Sequence, residues 1–243
     1  MQNKYNKVLR IKAYQPTAVY RNPVTAEVIE SYPLPPPSTI LGLISTLIKE
    51  PILEKDSINI SIQGSYDSLL KDYQWYKKYE SDKPYPILVH TLYDVNLIIH
   101  LGFSNEILAE RVKSNLLNPS YYLYLGRAED LLKIEDIEFV NPEIKYESCL
   151  TIKYNSYIEE KQARLFRFDS GSVFYRLPSY LSFIQVRLKK GLRTLRDFEW
   201  VNLFYVEAGG LGEADSDVPL FFDGEYYIWW CMQNPILDQS LEH

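Results

Sequence analysis

Two cysteines, three histidines and no long apolar run mark these 243 residues at first sight. Cys149 and Cys231 lie far apart and match no metal-ligand spacing, so no metal is expected and both are read as reduced core thiols. Leu241, Glu242 and His243 look like the stub of a purification tag, which leaves His90 and His100 as the natural imidazoles. Nowhere do about 18 apolar residues run together, as a membrane-spanning helix requires. No basic, apolar and small-residue sequence of the signal-peptide kind opens the chain, and the cytoplasm is the expected location. Glycine is concentrated once, at Gly209, Gly210 and Gly212, yet Glu207, Glu213, Asp215 and Asp217 surround that run and would repel phosphate. The acids also lack the spacing of a calcium loop. A flexible acidic turn facing a partner protein is expected there, with no cofactor.

Net charge is −6, which argues against a protein that coats nucleic acid unaided, because phosphate affinity rests on Lys and Arg. The distribution is uneven. Residues 145–200 carry 11 basic against 6 acidic residues, a net of +5, whereas no Lys or Arg follows Trp200 and eight acids do. One surface for an anionic partner and another for a different contact are implied.

What the chain does have is a proline stretch running into an apolar helix. Pro33, Pro35, Pro36 and Pro37 force an extended lead. Ile40, Leu41, Ile44, Leu47 and Ile48 then recur at helical spacing, with Ser38 or Thr39 placed to cap the first turn and Pro51 to end it. Gly42 falls within that apolar run, and close backbone approach is the reason expected for it. Before this stretch, residues 8–14 alternate as a strand with Leu9, Ile11 and Ala13 on one face and Arg10, Lys12 and Tyr14 on the other. After it come a half-buried strand at residues 58–62, a tyrosine- and lysine-rich insertion at about 65–94, and a strand at 95–101. A helix at 106–117 capped by Ser104 or Asn105 follows, then a glycine turn with arginine at its tip, and a strand at 134–140. Strand, helix, strand, strand, helix, strand is the ferredoxin-like pattern used by RNA-recognition modules. From residue 144 onward the signals are nearly all strand, among them separate strands at 172–177 and 183–188, and their pairing is not legible.

Four pieces in this order, RIKAYQPTAVYR at 10–21, YPLPPPSTILGLI at 32–44, NPSYYLYLGRAED at 118–130 and VFYRLPSY at 173–180, resemble the fifth family of CRISPR-associated (Cas) proteins. The type I-B flavour is the most similar. The resemblance implies an α+β chain: a ferredoxin-like RNA-binding domain at 1–142 with a thumb-like projection, and a β-rich extension at 143–240. It implies a non-catalytic subunit that binds the repeat-derived 5′ handle of the guide RNA (crRNA) in a Cascade surveillance complex, for antiviral defence and maintenance of CRISPR repeat elements. The implied partners are the Cascade backbone subunit and the large subunit, with no membrane. One branch of the family cuts repeat RNA without metal, so an endoribonuclease is the alternative, and a protein-binding module without an RNA role is the second.

For RNA contact, Lys12, Tyr20 and Arg21 near the first strand and Ser38 and Thr39 at the helix start are expected to share one surface. Arg127, beside flexible Gly126, can reach a phosphate or pair with Glu129 or Asp130 instead. Arg164, Arg167, Arg187, Lys189, Lys190 and Arg193 would add a diffuse basic surface. Cleavage would need a base, a cation and an acid together. His90, His100, Lys153 and Lys161 form no local constellation, so no catalytic residue is assigned.

Overall fold

The computed structural model describes residues 7–25, 27–52, 58–77, 83–169, 171–188 and 191–232. Its first part consists of β1 (Lys7–Ala18), β2 (Val28–Ile29), α1 (Pro37–Ile48), β3 (Ile58–Ser65), β4 (Ser68–Tyr76), β5 (Tyr85–Phe103), α2 (Glu106–Leu117) and β6 (Lys133–Val140). The second comprises β7 (Glu143–Thr151), β8 (Asn155–Glu159), α3 (Glu160–Ala163), β9 (Arg167–Phe168), β10 (Val173–Leu188), β11 (Gly191–Val206), β12 (Leu211–Phe222) and β13 (Tyr227–Ile228). The chain is mixed α/β and mostly β.

Among the described residues, nine strands form one sheet along the path β10-β11-β8-β3-β5-β1-β6, with β2 and β4 also paired to β5. Strands from both halves therefore share this sheet. The other sheet is β13-β12-β7, with β9 on β12. β5 organises the first sheet, because its 19 residues pair with β1, β3 and β4 antiparallel and with β2 in parallel.

One side of this sheet packs on the helices. Leu9, Ile11 and Ala13 of β1 join Ile40, Leu41, Ile44, Leu47 and Ile48 of α1 and Ala109, Val112 and Leu116 of α2 in the main core. The other side packs on the second sheet, where Val8 meets Phe221, Ile228 and Trp230. Trp229 and Trp230 are 2% and 0% exposed. Each buries roughly 200 Å², worth about 5 kcal/mol before conformational entropy is subtracted. That double cover explains why β3 is buried on both faces rather than half-buried as expected.

α1 departs from expectation in two details. Pro36 occupies the N-cap without a side-chain hydrogen bond, so neither Ser38 nor Thr39 caps the helix; both lie within its first turn. Proline at the first helical position supplies the start instead. Gly42 faces outward with nothing within 4 Å of where a Cβ would stand, so no close approach explains it. The helix ends before Pro51, at Lys49 in the left-handed region (φ 59°). α2 starts as expected, with Asn105 accepting from the amides of Ile107 and Leu108.

Three more expectations are corrected. The acidic run after Gly210 is not a free turn but part of β12, which pairs with β7 and shifts register between Glu213 and Val218. Cys231 is buried, whereas Cys149 is exposed on β7. The strands expected at 172–177 and 183–188 are one strand, β10, continuous through a register shift between Pro178 and Leu181.

Candidate nucleic-acid interface

α1 presents a ridge of small residues to solvent. Ser38, Thr39, Gly42, Ser45 and Thr46 lie on the side away from its buried stripe, and no acidic residue occupies its first turn. The positive end of the helix is thus left without a counter-charge on the helix itself. Gly42 makes the ridge low, since any side chain there would rise into open space.

A groove runs along each flank. On one side, about 200 Å³ is bounded by Thr39, Gly42, Leu43, Thr46, Tyr121, Tyr124, Leu125 and Gly126. On the other, about 390 Å³ is lined in part by Ser38, Ser45, Lys49, Ser179, Arg196 and Phe198. Gly42 and Thr46 border both. Hydroxyl groups, aromatic rings and two cations, against one lining carboxylate, Glu50, make a narrow saddle that suits a single nucleic-acid strand: small donors take phosphates and rings take bases.

The glycine loop that closes the first groove is fixed by one carboxylate. Asp130 is fully buried and accepts from the amides of Val19 and Arg127 at 3.0 Å, from Arg127 Nε at 3.0 Å and from Arg127 Nη2 at 2.8 Å. Thr17 Oγ1 adds a bond at 3.3 Å. Gln15, also buried, donates to the carbonyls of Leu125 and Asp130 and accepts from the Tyr20 hydroxyl. Gly126 holds φ at +103°, and a Cβ there would stand 2.8 Å from the Val19 carbonyl oxygen. Two sequence motifs far apart in the chain are thereby clamped into one rigid corner.

This geometry relocates several expected contacts. Thr39 and Gly126 meet across the smaller groove, and Ser38 lines the larger. Arg127 is spent on Asp130, the ion-pair option, with Glu129 at 3.3 Å. Tyr20 is 1% exposed and belongs to the core, where burial and the nearby Asp130 charge raise its phenol pKa. Arg21 is exposed beyond the end of β1. Arg164 pairs with Glu160, and Arg167 with Asp215. Arg187 and Arg193 stand exposed on β10 and β11, while Lys189 and Lys190 lie outside the described residues.

Lys12 does not share a surface with α1. Strand alternation sends it to the opposite side of the sheet, where its Nζ lies 2.9 Å from Glu225 and 5.1 Å from the Tyr226 ring centre. Arg10, beside it, donates to Asp223 at 2.9 Å and to Glu138, and His100 Nε2 meets Asp223 at 2.9 Å. Burial opposes the Asp223 charge, but hydrogen bonds from His100 and from the Tyr226 and Glu225 amides outweigh it and hold the carboxyl well below its ordinary range. Burial is also the largest influence on His100 and lowers its pKa. The sheet face that an RNA-recognition module offers to bases is here occupied by the turn between β12 and β13.

Sequence reasoning missed Gly42, Thr46, Lys49, Tyr121, Tyr124 and Arg196. The signal was present for the first three. Small or polar residues recur at positions 38–39, 42, 45–46 and 49, the complement of the apolar stripe.

The sequence profile of the family described as CRISPR-associated protein (Cas_Cas5) matches residues 8–196. A chain of a solved CRISPR RNA-guided surveillance complex superposes with a TM-score of 0.52 at 11% identity, covering 87% of this chain and 91% of that one. A CRISPR protein from Archaeoglobus fulgidus aligns with a TM-score of 0.46 at 12% identity, over 94% of this chain and 100% of its own. No curated protein matches the sequence.

Proposed function

Since the chain belongs to the CRISPR-associated protein family Cas5, we propose that it is a non-catalytic subunit of a type I Cascade complex that binds the repeat-derived 5′ handle of crRNA. In this reading it caps the backbone of the complex and contacts the backbone and large subunits. The observation that carries the reading is the α1 ridge, joined through Thr39 and Gly42 to the Gly126 loop by a groove. The handle backbone lies along the small hydroxylated ridge, and Tyr121 and Tyr124 offer faces for bases. Arg21, Arg187 and Arg193 remain exposed for further contact.

The finer architecture follows the same reading. β1, β3, β5 and β6 with α1 and α2 form a ferredoxin-like unit, supported by the neighbour order β3-β5-β1-β6 and by antiparallel pairing throughout. β4, whose nine residues are all exposed, forms a thumb-like projection on the edge of β5.

Non-catalytic action is supported by the histidines. His100 is fully buried against Asp223. A single observation favours the endoribonuclease alternative: partly exposed His90 and exposed Lys71 are direct cross-strand partners on the β4–β5 ladder.

The test is binding of labelled RNA with and without the handle, to the protein alone or with its backbone subunit. Gly42→Glu places a charge on the ridge without a steric clash, so it lowers handle affinity by about tenfold, roughly 1.4 kcal/mol, while the melting temperature does not fall. Equal affinity for handle and scrambled RNA overturns the proposal. Cleavage of repeat RNA in EDTA, abolished by His90→Ala, would replace it with the alternative.

A further inference from the structure

Among the described residues, β6 is paired along one edge alone. It closes the main sheet at the end of the strand path, with β1 as its neighbour. In an antiparallel ladder, alternate residues turn their N–H and C=O groups away from the paired strand. The outer edge of β6 therefore presents a row of such groups that no strand takes up.

A cleft of about 730 Å³ lies against this edge. Ile134 and Ile137 of β6 line it, with Leu116 and Leu117 at the end of α2 and the stretch from Pro119 to Leu123. Ile137 shares the helix side of the sheet with Ile11, whereas Asp136, which also lines the cleft, stands opposite Lys12 on the other side. Both faces of the strand contribute, so the cleft follows its edge. Within the lining, Leu117 and Tyr122 are 53% and 88% exposed. Apolar side chains left in water beside an open strand edge suit an extended protein segment.

Charge selects among such segments. Glu135 and Asp136 line the cleft, and no Lys or Arg does. Lys133 offsets Glu135 at 3.1 Å, but among the described residues no cation lies within ion-pair distance of Asp136. A second copy of this chain, adding its own β6, would set these acids against one another. A strand laid on β6 sends every second side chain toward Leu116, Ile134 and Ile137, and those between toward Asp136 and Glu138. We propose that the outer edge of β6 accepts, as an added strand, a segment of a partner protein in which apolar and basic residues alternate. Main-chain hydrogen bonds supply the affinity, and the cleft and its acids supply the selectivity. The site does not rest on RNA binding by this chain, and it meets the smaller α1 groove only at Tyr121, which borders both.

Fluorescence anisotropy of the full chain tests it, with a labelled peptide that alternates valine and lysine over the length of β6. The peptide binds and slows amide hydrogen exchange within β6. A version with glutamate in place of lysine binds about tenfold more weakly. N-methylation of alternate residues, which removes the donors that would pair with β6, abolishes binding. Asp136→Lys weakens the lysine peptide and strengthens the glutamate one, a reversal that loss of fold does not produce. Gly42→Glu, on the α1 ridge, leaves peptide affinity intact, so this test and that of handle binding fail independently. No binding of the alternating peptide, equal binding of the N-methylated one, or a fall in the Gly42→Glu variant (the pattern of a peptide lying on the ridge) would each overturn the proposal. So would a peptide-independent dimer with exchange slowed at β6, which would give that edge to a second copy.

Discussion

Replacing Asp130 with alanine tests the clamp between β1 and the glycine loop. The carboxylate is fully buried and serves the amides of Val19 and Arg127, the Thr17 hydroxyl and the Arg127 guanidinium. Losing it strands two amide donors, one of them on Val19, which is 1% exposed. Each stranded buried donor costs about 1–3 kcal/mol. The Arg127 side chain is 24% exposed and can turn to water, so the broken ion pair adds only about 1 kcal/mol. The expected loss is about 3–7 kcal/mol, or a melting temperature lower by roughly 10–20 °C for a chain of this size. Urea denaturation measures it, and a double-mutant cycle with Arg127→Met should give a coupling of about 1 kcal/mol. If Asp130→Ala loses less than about 1 kcal/mol, the loop is held by something else and the clamp argument fails.

Two further outcomes follow from the same geometry. Gly42→Ala, at an outward helical position with free space, should stabilise the protein by roughly 0.5–1 kcal/mol and leave handle affinity within about twofold; a destabilised variant would mean that the ridge is packed against something. Stability should fall as pH drops below the ordinary histidine value of 6.5, because burial makes folded His100 take its proton later than the unfolded chain does. Asp223 acts in the same direction at lower pH: its contribution is present above 3.8 and is lost as the medium becomes more acidic. His100→Gln should flatten the upper part of this decline in a melting series, and an unchanged slope would count against a role for that imidazole.

Legibility in the sequence tracked how local the cause was. α2 spans the expected residues because Asn105, its own cap, adjoins it. The alternation of β1 and the buried stripe of α1 were equally plain. What Lys12 faces was not, since Asp223 and Glu225 reach that face from more than two hundred residues away. The acidic segment within β12 resembled a turn, because the β7 strand that holds it is encoded some 70 residues earlier, as with Glu213 and Cys149 or Val218 and Glu147. β10 was expected as two strands, and only its pairing with β11, shifted in register between Pro178 and Leu181, shows that it is one. Within the candidate site, the helix ridge was readable in principle from the small residues between the apolar ones. The tyrosines and the loop across the groove required the tertiary fold.

Arg10 has a consequence for the order of events at the ribosome. It is 8% exposed, and its two carboxylate partners besides Glu225 are Glu138 and Asp223, the latter 213 positions downstream. Domains ordinarily fold as they emerge, N-terminal part first. Here β1 cannot reach its final electrostatic state until residue 223 has been synthesised. The half-made protein carries a cation and a histidine without their shared carboxylate, and an open apolar sheet face awaiting Trp229 and Trp230. Folding is closed by the last strands rather than begun by the first, so a nascent chain stalled before residue 223 is the form most in need of a chaperone.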